Sequence, residues 1–135
     1  MAARSKARKR AVDVLYEADV RGDDRLALLR DRIETGNPPV PEHTVRLVEG
    51  VAEHAARIDE LISQHAKGWA LERLPDVDRA ILRMSVFELL WVDDVPDAVV
   101  VDEAIELART LSTDDSPAYV NGVLGAVLDA EVPAG

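Results

Sequence analysis

The 135-residue chain has no cysteine, five aromatic side chains and not one acidic residue in its first ten positions. Without cysteine there are no disulfides, no thiolate metal sites and no cysteine nucleophile, a pattern compatible with a cytoplasmic home. No apolar run approaches the roughly 20 residues that a membrane-spanning helix needs. A targeting peptide also fits poorly, because no apolar segment follows the basic start and Asp13, Glu17 and Asp19 arrive at once. The sequence has no phosphate-cradling glycine loop, no GxSxG elbow, no HExxH and no dinucleotide fingerprint. The paired acids Asp23-Asp24, Asp93-Asp94 and Asp114-Asp115 stand at helix starts or in loops, where capping accounts for them. The expectation is a protein that is not an enzyme, with no catalytic residue, no metal and no cofactor.

What is present is charge, sharply divided. Five of the 16 basic residues (Arg4, Lys6, Arg8, Lys9, Arg10) fall in the first ten positions and all 26 acidic residues come later, giving +5 on the leading decapeptide and −15 on the remainder. A domain with two electrostatic faces of this kind offers the positive one to phosphate and the negative one to a basic partner. The basic run passes directly into apolar positions at helical spacing, Val12, Leu15 and Tyr16, so the cations are expected on a docked helix.

With 47% apolar residues and 31% charged, the composition is that of a helical protein rich in Ala, Val and Leu. One domain over residues 1–135 is expected, with 1–4 and 131–135 frayed. The first helix is predicted from near Ser5 to Arg21-Gly22 and a shorter one from Arg25 to Glu34. One long amphipathic helix is predicted from Pro41 to Ala66, with a possible bend at Gly50. Lys67 to Pro75 is a connector with an anchoring Trp69. Val77 to Val92, with Asp76 as its cap, is apolar almost all round and belongs in the middle of a bundle, with Ile81, Met84 and Phe87 in the core and Arg83 and Glu88 paired or reaching the surface. The β-branched run Val99-Val100-Val101 could start a strand, but Ala104, Ile105, Ala108 and Leu111 continue at helical spacing and no other strand candidate exists to pair with it. The last helix is predicted from Pro117 to Ala130 with Ser116 as N-cap, Gly122 and Ala126 forming a strip open to close helix approach. His43, His54 and His65 are spaced by 11 residues, about 16 Å apart along a helix, so they cannot share a metal and are expected on the solvent face.

Three strings together, ARKRAVDVLYEADV, GWALERLPDVDRAILRMSVFELL and VPDAVVVDEAIELARTLSTDDSPAYVNGVLG, resemble the bacterial transcription antitermination factor NusB family, with an actinobacterial cast. They cover more than half of the chain, and the last is the most specific. The resemblance implies an all-α, single-domain bundle of about six to seven helices, arranged as two small packed sub-bundles. It also implies an adaptor that binds single-stranded boxA-type leader RNA jointly with the small-subunit ribosomal protein NusE, within an RNA polymerase antitermination complex that supports ribosomal RNA synthesis.

Carried onto this chain, Arg4, Lys6, Arg8, Lys9 and Arg10 fall in the arginine-rich start, Tyr16 matches the aromatic of the first helix and Tyr119 the aromatic before Val-Asn-Gly. All seven are implied RNA contacts, which agrees with the general chemistry of single-strand binding by cations and stacking faces. Asp78 and Asp115 match acidic positions at the junction with the protein partner. The alternative from another class is a helical protein-interaction adaptor with an incidental basic tail and no specific RNA binding.

Overall fold

The computed structural model describes residues 3–66 and 68–131 of the chain. Among them are seven α-helices and no strand: α1 (Ala3–Arg21), α2 (Arg25–Thr35), α3 (Glu42–Glu53), α4 (Ala55–His65), α5 (Asp76–Trp91), α6 (Asp97–Leu111) and α7 (Ser116–Glu131), with one 3₁₀ turn at Leu71–Arg73. The β-branched run at 99–101 is helical, inside α6. Ala3, Arg4 and Glu131, expected to fray, lie within helices, while residues 1, 2 and 132–135 are outside the described residues.

Helix α5 is the axis. From Asp78 to Leu89 every residue is buried, because each side of this helix meets a different neighbour. Helices α1 and α3 pack on one side, joined by α2, and α4, α6 and α7 on the other. Ile81, Leu82, Met84 and Val86 are sealed from water, and Phe87 is nearly so. An all-round apolar helix gains from this place because each fully buried aliphatic side chain contributes about 1.5–3 kcal/mol. Its charges are paired, as expected: Arg83 Nε donates to Asp59 Oδ1 at 2.9 Å, and Glu88 receives Arg8. Asp76 is not the cap but the first helical residue, where it pairs with Arg79 one turn on.

The predicted long helix is two. Hydrophobic spacing runs unbroken through residues 45–62, but His54 (φ −107°, ψ 19°) leaves the helical region and separates α3 from α4. Its ring stacks on Trp91 at 4.2 Å between centroids, so a packing contact from α5 sets the break. Gly50 does not mark it. A Cβ there would lie 2.0 Å from Phe87 Cζ, so the glycine makes room for the ring.

The histidines also differ from expectation. His43 is buried with its Nε2 3.1 Å from Glu88 Oε2, His54 is half-buried in the aromatic stack, and His65 is half-buried with its Nε2 enclosed. A face that is polar in sequence thus turns inward wherever a carboxylate or an aromatic ring from α5 awaits it.

Candidate nucleic-acid interface

Helix α1 ends in a glycine cap, with Gly22 at φ 71° and the Asp23 N–H donating to the Ala18 carbonyl at 2.9 Å. Its other end is unusual. Arg4, Lys6, Arg8, Lys9 and Arg10 sit in the first two turns with no acid in the first, at the positive end of the helix dipole, where cations are disfavoured.

The structure divides these five. Arg8 is 2% exposed: its Nε and Nη2 hold the Glu88 carboxylate, Nη2–Oε2 being 2.7 Å, and its Nη1 reaches Glu103 at 3.1 Å. Burial alone would lower the guanidinium pKa, but the hydrogen bonds and charge of Glu88 and Glu103 outweigh it and hold Arg8 above its ordinary value. Arg8 is therefore withdrawn from any phosphate at the surface, contrary to the expectation from sequence. Arg4 is exposed and pairs with Asp94 at 3.0 Å, which holds that carboxyl below its usual range. Lys9 makes a solvent-exposed pair with Asp13 at 3.3 Å. Among the described residues of this run, only Arg4, Arg8 and Lys9 have carboxylate partners, so Lys6 and the half-buried Arg10 keep their charge uncommitted.

Lys6 and Lys9 rim a narrow groove of about 160 Å³ between α1 and α6, whose floor is Leu107 and Leu111 and whose α6 edge carries Glu103, Glu106 and Thr110; the two acids are paired with Arg8 and Arg109. A second cleft, of about 390 Å³, lies just beyond the end of α6. Trp69 and Tyr119 line it, with Leu74, Pro75, Thr113 and Asp115. The short segment from Thr110 to Ser116 borders both hollows, so the lysine-rimmed groove and the aromatic cleft are neighbours along one edge of the molecule. Tyr16, 39% exposed, projects from α1.

Trp69, expected to anchor the connector, is instead 50% exposed. An indole in the connector beside Lys67 and Gly68 was the sequence signal for a surface aromatic. Tyr119 is half-buried. Its hydroxyl is enclosed without a hydrogen-bond partner among the described residues, and burial together with the charge of Asp78 raises its pKa.

Asp78 is not a surface acid. It is 3% exposed, and its carboxylate accepts from the Ser112 hydroxyl through Oδ1 and from the Ser116 hydroxyl through Oδ2 at 2.9 Å. Direct contact with a protein partner, implied by the resemblance, is therefore excluded by burial in this conformation. Ser116 likewise does not cap α7. It is the first helical residue, and its oxygen faces back to Asp78 and receives the Thr113 N–H at 3.3 Å. Asp115 is exposed at the rim of the aromatic cleft. Asp78 thus fixes the turn on which Thr113, Asp115 and Tyr119 are mounted.

A wider hollow of about 700 Å³ lies against α3. Glu42, Glu49 and Glu53 line it along with Arg4 and Arg46, an acidic balance unsuited to a polyanion. The described residues contain no cluster of histidines and carboxylates able to hold a metal ion, and no helix long and apolar enough to cross a membrane.

The family model for NusB matches residues 5–129. The chain is 62% identical over 129 residues to the transcription antitermination protein NusB of Saccharopolyspora erythraea, covering 94% of this chain and 87% of that one. It is 60% identical over 130 residues to its counterpart in Streptomyces avermitilis, covering 93% and 90%. Among solved structures it superposes on T. maritima NusB with a TM-score of 0.86 and 34% identity, covering 98% of this chain and 94% of that one. It also superposes on NusB in a crystal of antitermination factors NusB and NusE with double-stranded RNA, with a TM-score of 0.82 and 30% identity over 94% and 96%. The chain belongs to the NusB family of transcription antitermination proteins, which is not a family of enzymes.

Proposed function

We propose that this protein binds single-stranded boxA-type RNA jointly with the small-subunit ribosomal protein NusE, as the RNA-holding adaptor of an RNA polymerase antitermination complex. The observation that carries the reading is the alignment of the Lys6–Lys9 groove with the Trp69–Tyr119 cleft along the 110–116 segment. Phosphates take the cations of the groove, and one or two unpaired bases stack at the cleft, an arrangement that serves a single strand because every base has an aromatic face. A structural neighbour crystallised with NusE and double-stranded RNA supports an assembly of these three kinds of component, while the single-stranded form rests on the aromatic cleft.

The acidic body serves the same purpose. A −15 surface behind a basic end favours encounter with a basic ribosomal protein, and Asp115, at the cleft rim, lies where protein and RNA would meet. Arg4, Arg10 and Tyr16, elsewhere on α1, are additional contacts in this reading. The assembly acts on nascent transcripts, hence in the cytoplasm. Fluorescence anisotropy of a labelled boxA-type RNA tests it: binding that tightens when NusE is added and weakens with salt supports the reading. RNA binding absent at every NusE concentration would favour the protein-interaction adaptor with an incidental basic tail.

A further inference from the structure

Helix α1 presents its basic run on an ordered helix, although cations at a helix N-terminus oppose the dipole and terminal turns ordinarily fray. Something must hold that end. Three neighbouring helices do so: the Thr44 hydroxyl of α3 donates to the Ala7 carbonyl at 2.7 Å, the Ser5 hydroxyl of α1 meets Glu103 of α6, and Arg8 lies between Glu88 of α5 and Glu103. Glu88 is fully enclosed and also meets His43 Nε2 at 3.1 Å, so its carboxylate joins α1, α3 and α5 at one point.

We infer that Arg8 and Glu88 form a positioning clamp for the RNA-binding end of α1, holding Lys6 and Lys9 at fixed places on the groove, and that Arg8 itself does not touch RNA. The inference rests on the RNA-binding reading above and deepens it by dividing the basic run into one anchor and several contacts. The geometry supports that division. Lys6 and Lys9 lie two positions before and one after Arg8 on the exposed side, so a guanidinium drawn inward turns their side chains outward. A bidentate, buried carboxylate fixes the rotation of the helix about its axis more tightly than apolar contacts alone. Two carboxylates on a single guanidinium also leave the clamp with excess negative charge, which offsets the repulsion among the neighbouring cations.

The test uses the full chain with NusE and a labelled single-stranded boxA-type RNA, together with amide hydrogen exchange. Glu88→Gln removes the buried charge while keeping the side chain's shape. Faster exchange at residues 5–11 than at α7 is expected, with RNA affinity per folded molecule lower on the order of tenfold because Lys6 and Lys9 are no longer preorganised. The dependence of log K on log salt should keep its slope. The double variant Arg8→Met with Glu88→Met, which removes both charges and refills the space, should also keep it.

A slope shallower by about 0.7 in the double variant would overturn the inference, since Arg8 would then be a phosphate contact. Unchanged affinity per folded Glu88→Gln molecule, with only a lower melting temperature, would overturn it too, leaving the pair a plain element of stability. RNA binding absent from the unaltered protein with NusE would instead overturn the RNA-binding reading, and the clamp's part in it with it.

Discussion

The Ser116 hydroxyl donates to Oδ2 of Asp78 at 2.9 Å across 38 residues of chain, tying the first residue of α7 to the first turn of α5. With the Ser112 hydroxyl on the other oxygen, the carboxylate closes the turn that carries Thr113 and Asp115. Replacing Asp78 by Ala removes the acceptor shared by two hydroxyls and leaves them only each other and Thr113 Oγ1, at a cost of about 1–3 kcal/mol in all. Asp78→Ala is expected to lower the melting temperature clearly, Asp78→Asn less, since an amide oxygen still accepts. A melting temperature unchanged in Asp78→Ala would show that the turn holds without it.

Phe87 and Gly50 form a second obligatory pair. Gly50→Ala must push the ring aside, because its Cβ would lie 2.0 Å from Phe87 Cζ, and overpacking of this kind costs about 1–3 kcal/mol. Phe87→Ala leaves a cavity and is expected to cost about 3–5 kcal/mol. Urea denaturation of both single variants and the double measures the coupling. In the double variant the methyl added at position 50 meets no ring, so the two single losses should sum to more than the double-variant loss. Strict additivity would mean that the ring relaxes freely.

The buried His43 makes stability pH-dependent. Burial lowers its pKa, outweighing its hydrogen bond with Glu88, so the folded protein prefers the neutral ring. The unfolded chain takes up a proton near the ordinary value of about 6.5, so below that pH it binds more protons than the fold and stability falls as pH is lowered. Above that range the contribution is complete. Chemical denaturation between about pH 7.5 and pH 5.5 should therefore show a smaller decline in His43→Gln than in the unaltered protein. Equal declines would remove His43 from the account.

Tyr119 and Trp69 should report base stacking without charge. Tyr119→Ala is expected to weaken RNA binding by roughly 1–3 kcal/mol and leave the salt slope as it was. With Trp91→Phe, Trp69 becomes the sole indole, and its emission should change when RNA is added. A Tyr119→Ala protein that melts earlier yet binds RNA normally would make the ring a seat for α7 and nothing more.

The legibility of these features from sequence follows their range. The all-round apolar pattern of Val77–Val92 is a local signal, and it is enough to mark α5 as the central helix. The break at His54 is not visible there, because hydrophobic spacing passes straight through it and its cause is the Trp91 ring 37 residues away. The burial of Arg8 is hidden for the same reason: nothing in RSKARKR distinguishes it from its neighbours until Glu88, 80 residues on, is brought against it. Asp78 reads as a surface acid since acids rarely lie buried, and its two serine donors become neighbours only when α6 and α7 fold back onto α5. Trp69 misleads in the opposite direction, as an indole expected to be inside.

The most direct test of the account is the salt dependence of boxA-type RNA binding by the protein with Lys6 and Lys9 both changed to Gln, NusE being present. If these two lysines hold phosphates along the groove, the slope of log K against log salt becomes shallower by about 1.4, while the circular dichroism spectrum is unchanged. A slope equal to that of the unaltered protein would contradict the account and move the RNA away from α1.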